Sequence, residues 1–228
     1  MRTGATAPGR AQLRVSWSAD WPVKCDINAV DEVTQGQVLG AAQQISEAYL
    51  QPVLEAMLAQ FPFRIQSFHS DNGSEFINHT VKNLLNKLLI EQTKSRPRHS
   101  NDNGLVEAKN GAVVRKHMGY TYIAAPHAAE IAAFYERYFN PYLNFHRPCG
   151  VPEEVSDAKG KVKRVYRRYA TPWEILRQLP EMAKYLKEDV TIRELEQRAG
   201  AQSDTAAAAE MQRAKQKLFV GFQGSKTA

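Results

Sequence analysis

The chain has 228 residues, 43% of them hydrophobic and 24% charged, enough to bury a sizeable core and too apolar for a disordered polypeptide. Its 30 Lys and Arg against 24 Asp and Glu give a net charge of +6, a tilt toward a polyanionic partner that does not by itself identify one. No run approaches the roughly 18 apolar residues of a membrane span, no apolar block follows Met1-Arg2-Thr3, and Cys25 and Cys149 sit in no CxxC or His-Cys spacing. A secretory leader, a membrane partner, a disulfide framework and a protein-held zinc are therefore not expected, and the cytoplasm is the expected location.

Residues 1 to about 24 mix Gly, Ala, Arg and Ser with isolated Trp and predict no firm element. From Asp26, the apolar run Ile27, Ala29, Val30, the turn Thr34-Gln35-Gly36 and Val38-Leu39-Gly40 predict a hairpin. Ser46 is placed to cap a helix with Leu50, Val53, Leu54, Met57, Leu58 and Phe61 on one face, kinked early by Pro52. Phe63 to His69 alternates as a strand does and runs into Ser70-Asp71-Asn72-Gly73, a turn sequence. An amphipathic helix is predicted from Asn78, with Val81, Leu84, Leu85, Leu88 and Leu89 on its buried face, followed by a short strand at Glu91 to Ser95.

Arg96 to Asp102 reads as a loop, after which a helix starts near Asn103 and carries Glu107. Ile131, Phe134, Tyr135, Tyr138 and Tyr142 predict another helix from about Pro126 to Leu143, its end frayed by Pro141. Beyond Pro148 the composition shifts. Lys159, Lys161, Lys163, Arg164, Arg167, Arg168 and Arg177 crowd together with Val162, Val165, Tyr166 and Tyr169 between them, and helices follow at Thr191 to Ala199 and Asp204 to Phe219, capped by Ser203 or Asp204. The succession of elements predicts an α/β protein in three parts: an atypical segment over 1–25, a core over 26–148, and a small basic and helical appendage over 149–228.

Asp71 stands where a strand gives way to a tight turn, so its side chain is held by the sheet and still reaches solvent. An Asp-Asn-Gly cluster alone usually makes a turn and nothing more. Glu107 changes the weighting: residues 72 to 106 between the two acids hold one helix, one short strand and one loop, a path that returns Glu107 to the same sheet edge. Two carboxylates brought together repel, and a hard divalent cation such as Mg²⁺ or Mn²⁺ relieves that repulsion by taking their oxygens. With two ions, one activates a water or a 3′-hydroxyl and the other stabilises the leaving oxygen of an in-line phosphodiester attack.

Ser70-Asp71-Asn72-Gly73-Ser74-Glu75-Phe76, Asn103-Gly104, and Glu107 within Val106-Glu107-Ala108-Lys109-Asn110 resemble the integrase core of retroviral integrases and bacterial insertion-sequence transposases. The resemblance runs from about Asp26 to Pro148, closing on Asn144-Phe145-His146-Arg147-Pro148. It implies a ribonuclease H-like mixed sheet flanked by helices and an Asp-Asp-Glu mechanism of strand cleavage and transfer on two Mg²⁺ or Mn²⁺ ions. It also implies action as a homo-oligomer on DNA, both mobile-element ends and target. Asp71 maps to the second acid and Glu107 to the third.

The first acid belongs on the strand before the hairpin, around residues 10 to 20, where Asp20 is the sole candidate; Asp26 and Asp31 fall in the second strand. An upstream helix-turn-helix is likewise implied and not found, so a truncated copy is expected. Asn103 and Asn110 share the face of Glu107 and are candidates to orient it or to touch DNA. Arg96, Arg98, Lys109, Arg115 and Lys116 are candidate phosphate contacts near the acids, and Lys163, Arg164, Arg167 and Arg168 in the basic stretch are a second set. A non-catalytic remnant that binds DNA or co-assembles is the alternative to an active transposase. A hydrolytic nuclease of the same fold is a third reading.

Overall fold

The structure, a computed structural model, describes residues 11–18, 26–44, 46–70, 75–87, 90–94, 104–119, 123–156, 160 and 162–224. Its main sheet has five strands in the order β3-β2-β1-β4-β5. β1 (Ala11–Ser18), β2 (Asp26–Asp31) and β3 (Gln37–Ala41) form an antiparallel meander. β4 (Ile65–Ser70) joins β1 in parallel, and β5 (Glu91–Lys94) joins β4 in parallel. The parallel pairs need crossovers, which α1 (Glu47–Gln60) and α2 (Glu75–Lys87) provide. The protein is thus mixed α/β, as the succession of elements predicts.

β1 corrects the reading of the N-terminal stretch. Leu13, Val15 and Trp17 alternate with Arg14, Ser16 and Ser18, the period of a strand with two unlike faces. The strand lies at the centre of the sheet, with Leu13 and Val15 fully buried. α2 begins at Glu75, earlier than Asn78.

Both faces of the sheet are covered, which is why every residue of β2 and β3 is buried. On one face Leu13, Val15, Ile27, Ala29, Val38 and Phe68 pack under Leu50, Leu54 and Met57 of α1 and Leu84 and Leu85 of α2. α1 comes down tightly on β3 at Gly40, where a Cβ would run into the Met57 side chain and meet Val53 Cγ1 at 2.9 Å. On the other face Leu39 and Ala41 meet Val113, Val114, Met118, Ile131, Phe134, Tyr135, Phe139 and Leu143.

Those residues come from two long helical runs. α3 (Gly104–Lys109) continues as a π-helix, Asn110–Arg115, and a last turn, α4 (Lys116–Met118). α5 (Ala128–Phe134) continues through Tyr135–Phe139 and Tyr142–His146, both π-helical. This second run continues past Leu143 to His146 and does not fray at Pro141: wider i→i+5 turns flank the proline, so its missing N–H and bulky ring are absorbed without a break. Asn140 and Asn144, one turn apart on this run, face β3. Leu39 N donates to Asn140 Oδ1 at 2.9 Å while Asn140 Nδ2 donates back to Leu39 O at 3.0 Å. Gln37 N donates to Asn144 Oδ1 at 2.9 Å, and Asn144 Nδ2 to Gln37 O at 2.7 Å.

The C-terminal part is not an outlying appendage. β6 (Cys149–Ser156) and β7 (Val162–Ala170) pair as a separate two-stranded sheet. α6 (Pro172–Gln178) follows, opened by a capping box in which Thr171 accepts from Glu174 N. α7 (Ile192–Gly200) opens with the same device at Thr191, and Ser203 Oγ caps α8 (Asp204–Gly224). Trp173, Leu176 and Leu195 enter the core of the first sheet face, and Met211 and Phe222 of α8 enter the core of the second.

Candidate active site and nucleic-acid interface

β1 and β4 run parallel, with Leu13 paired to Phe68 and Val15 to Ser70. The last residue of β4 is therefore followed at once by Asp71, and it lies beside the C-terminal half of β1. Asp71 itself falls outside the described residues, as do Asp20, Arg96, Arg98 and Asn103. On its other side β1 pairs with the start of β2: Ser16 with Asn28 and Ser18 with Asp26. β1 as formed is Ala11-Gln12-Leu13-Arg14-Val15-Ser16-Trp17-Ser18 and contains no carboxylate.

Glu107 lies on α3, solvent-exposed, and α3 packs against β1 and β2 with Val106 fully buried beneath it. A polar link fixes this helix to the sheet. Asn28 Nδ2 donates to Asn110 Oδ1 at 2.6 Å, and Gln37 Nε2 donates to Asn28 Oδ1 at 3.0 Å. Asn110 follows Glu107 by three residues and so shares its helix face, and the link sets the rotation of the helix about its axis. Asn28 and Gln37 escaped the sequence reading; the available signal was a buried amide amid the apolar strand residues Ile27, Ala29 and Val30.

Two acids of β2 are engaged elsewhere. Asp31 accepts from Thr34 N at 2.7 Å and from Thr34 Oγ1 at 2.6 Å, bracing the β2–β3 turn in which Gln35 takes a left-handed φ of 62°. The Tyr135 hydroxyl donates toward both oxygens of buried Asp26 at 3.4 Å. Burial, reinforced by the Asp26 charge, holds the Tyr135 phenol well above its ordinary pKa. Lys109 turns inward as well, its Nζ donating to Gln35 O at 3.4 Å. Burial lowers its pKa, the Cys149 thiol opposes that shift and Arg147 adds to it. Arg115 and Lys116 are exposed farther along the same helical run, and Lys163, Arg167 and Arg168 are exposed on β7, which also carries Arg164. Among the described residues no group of three or more His, Cys, Asp or Glu is arranged to hold a metal ion.

No protein-family model matches the chain. Over 113 residues it is 34% identical to the uncharacterized protein y4rM of Sinorhizobium fredii (strain NBRC 101917 / NGR234), a match that covers 49% of this chain and 31% of that protein. Among solved structures, the catalytic core domain of BIV integrase in crystal form I is similar over 71% of this chain and 91% of that one, with a TM-score of 0.44 and 16% identity. No helix among the described residues is long and apolar enough to cross a membrane.

Proposed function

We propose that this chain is a ribonuclease H-like, integrase-type core of a DNA transposase, and that it engages DNA at the sheet end where β4 gives way to Asp71. One arrangement carries this reading: β4 ends beside β1, and the helix bearing Glu107 packs across β1 and β2. It fits the sequence resemblance of Ser70 to Phe76 and of Val106 to Asn110 to integrase cores. In this reading Asp71 and Glu107 are the two acids that would hold Mg²⁺ or Mn²⁺, ions that supply nucleophile activation and leaving-oxygen stabilisation when two are bound. Arg115 and Lys116, with Arg96, Arg98 and Asn103, contact phosphates near the acids, and the β7 cations contact them farther away.

Among the described residues the donor set does not complete a site for a pair of ions. β1, the strand on which the resemblance implies the first acid, contains no carboxylate. This favours the reading of a chain that binds DNA or co-assembles with complete copies, with strand cleavage and transfer severely impaired when it acts alone. The test is Mg²⁺- or Mn²⁺-dependent nicking of duplex DNA by the purified chain beside Asp71→Asn, Glu107→Gln and Asp20→Asn. The expected outcome is DNA retention with little or no nicking. Robust nicking abolished by the first two variants would overturn the impaired reading, and its loss in the third would make Asp20 the missing acid.

A further inference from the structure

The β6–β7 ribbon has one covered face and one open face. Gly150 pairs with Tyr169 and Val151 with Arg168, then Glu153 pairs with Val165, so Pro152 of β6 lies opposite two residues of β7, Tyr166 and Arg167. Such a bulge shifts the alternation of side chains by one and brings Tyr166 and Tyr169 to the same face. Gly150 gives the same answer independently. A Cβ on Gly150, on the side of its partner Tyr169, would meet Cδ1 of Tyr166 at 3.1 Å and its Cβ at 3.3 Å. The Tyr166 side chain therefore lies against bare glycine backbone, and the ring stays largely open: Tyr166 is 53% exposed and Tyr169 70%. Val162, beyond the bulge on the same face, is exposed too. The opposite face is closed by α6, where Cys149 and Ala170 meet Ile175, and Arg168 Nη1 donates to Gln178 Oε1 at 2.7 Å.

We infer that the open face of this ribbon binds single-stranded DNA, with Tyr166 and Tyr169 stacking on unpaired bases and Arg167 meeting the backbone. The inference rests on the proposed function for its polyanionic partner and narrows that partner to unpaired strands. Phosphate contact alone needs no open rings, and a duplex hides the base faces that rings stack on. Two ladder steps separate the tyrosines, about 7 Å along the strand, the reach of neighbouring bases in an extended single strand. Arg167, exposed at the bulge between the two tyrosines, supplies a charge that an apolar protein partner would not require.

The test is fluorescence anisotropy of the full chain, without divalent metal, with a labelled oligo(dT) and with a duplex of equal length. Tyr166→Ala and Tyr169→Ala are each expected to weaken oligo(dT) binding at least about fivefold, Phe at either position to keep it, and duplex affinity to change less than about twofold. Unchanged oligo(dT) affinity in the double Ala variant, or equal losses on both DNAs, overturns the inference. A tyrosine-dependent dimer in sedimentation velocity does the same, by making a second copy the occupant. If neither DNA binds, the proposed function falls as well. If duplex binds but oligo(dT) binding ignores the tyrosines, only this inference falls. Both tyrosines are exposed, so the variants should fold, which circular dichroism checks.

Discussion

His117 illustrates how much a single side chain records of its surroundings. Its ring packs against Phe139 and Tyr142, with centroids 5.1 and 6.2 Å apart. Burial first, then Arg147, Lys215 and Lys116, depress its pKa to about 4. The unfolded chain takes up this proton near pH 6.5, whereas the folded chain refuses it until about pH 4. The contribution to stability is therefore intact above about pH 6.5 and drains away as the pH falls from there toward 4. Urea midpoints measured across that window should fall more steeply for the wild type than for His117→Gln; parallel slopes would show that the imidazole does not carry this dependence. Asn28 belongs to the same class of residue. Buried in a strand, it accepts from Gln37 and donates to Asn110, and its role emerges only when helix and sheet are seen together.

At the scale of elements, α1 packs closely on β3 at Gly40. Gly40→Ala places a methyl against the Met57 side chain and Val53; the thioether can swing away but the β-branched valine cannot. The expected cost is about 1–3 kcal/mol in chemical denaturation, and a change near zero would mean that α1 lifts off freely. The β2–β3 hairpin, α1, β4 and the helix of Glu107 were legible from the sequence because each has a clear period and turn residues beside it, although Ser46, which stands at the start of α1 as expected, makes no side-chain capping hydrogen bond. β1 was missed although Leu13, Val15 and Trp17 carry the alternation, since the preceding residues mix Gly, Ala and Arg and hide where the strand starts. The sequence reading carries the second helical run to Leu143, fraying at Pro141, three residues short of His146, because the π turns that accommodate the proline have no signature of their own. Of the candidate site, the place of Glu107 on its helix and the strand leading to Asp71 were readable. The inward turn of Lys109 was not, because a lysine on a helix says nothing about which neighbour buries it.

For the whole molecule, the integration of the C-terminal part matters most. Trp173, Leu176 and Leu195 complete one core and Met211 and Phe222 the other, so the chain should unfold as a unit. Removal of residues 191–228 uncovers both cores and should abolish a cooperative thermal transition; a truncated chain that still melts sharply would show that α7 and α8 are accessory. The basic composition of residues 159–177 suggested an appendage because charge marks the surface of a segment and hides its few anchoring side chains. The amides of Asn140 and Asn144 have a further consequence. β3 is one of the two edge strands, and its outward N–H and C=O groups at Gln37 and Leu39 are taken by two side chains spaced about 6 Å apart on a helix, close to the roughly 7 Å between alternate strand residues. The helix counterfeits a sixth strand along this one border of the sheet, and it seals the side of β3 on which a neighbour's chain could otherwise add.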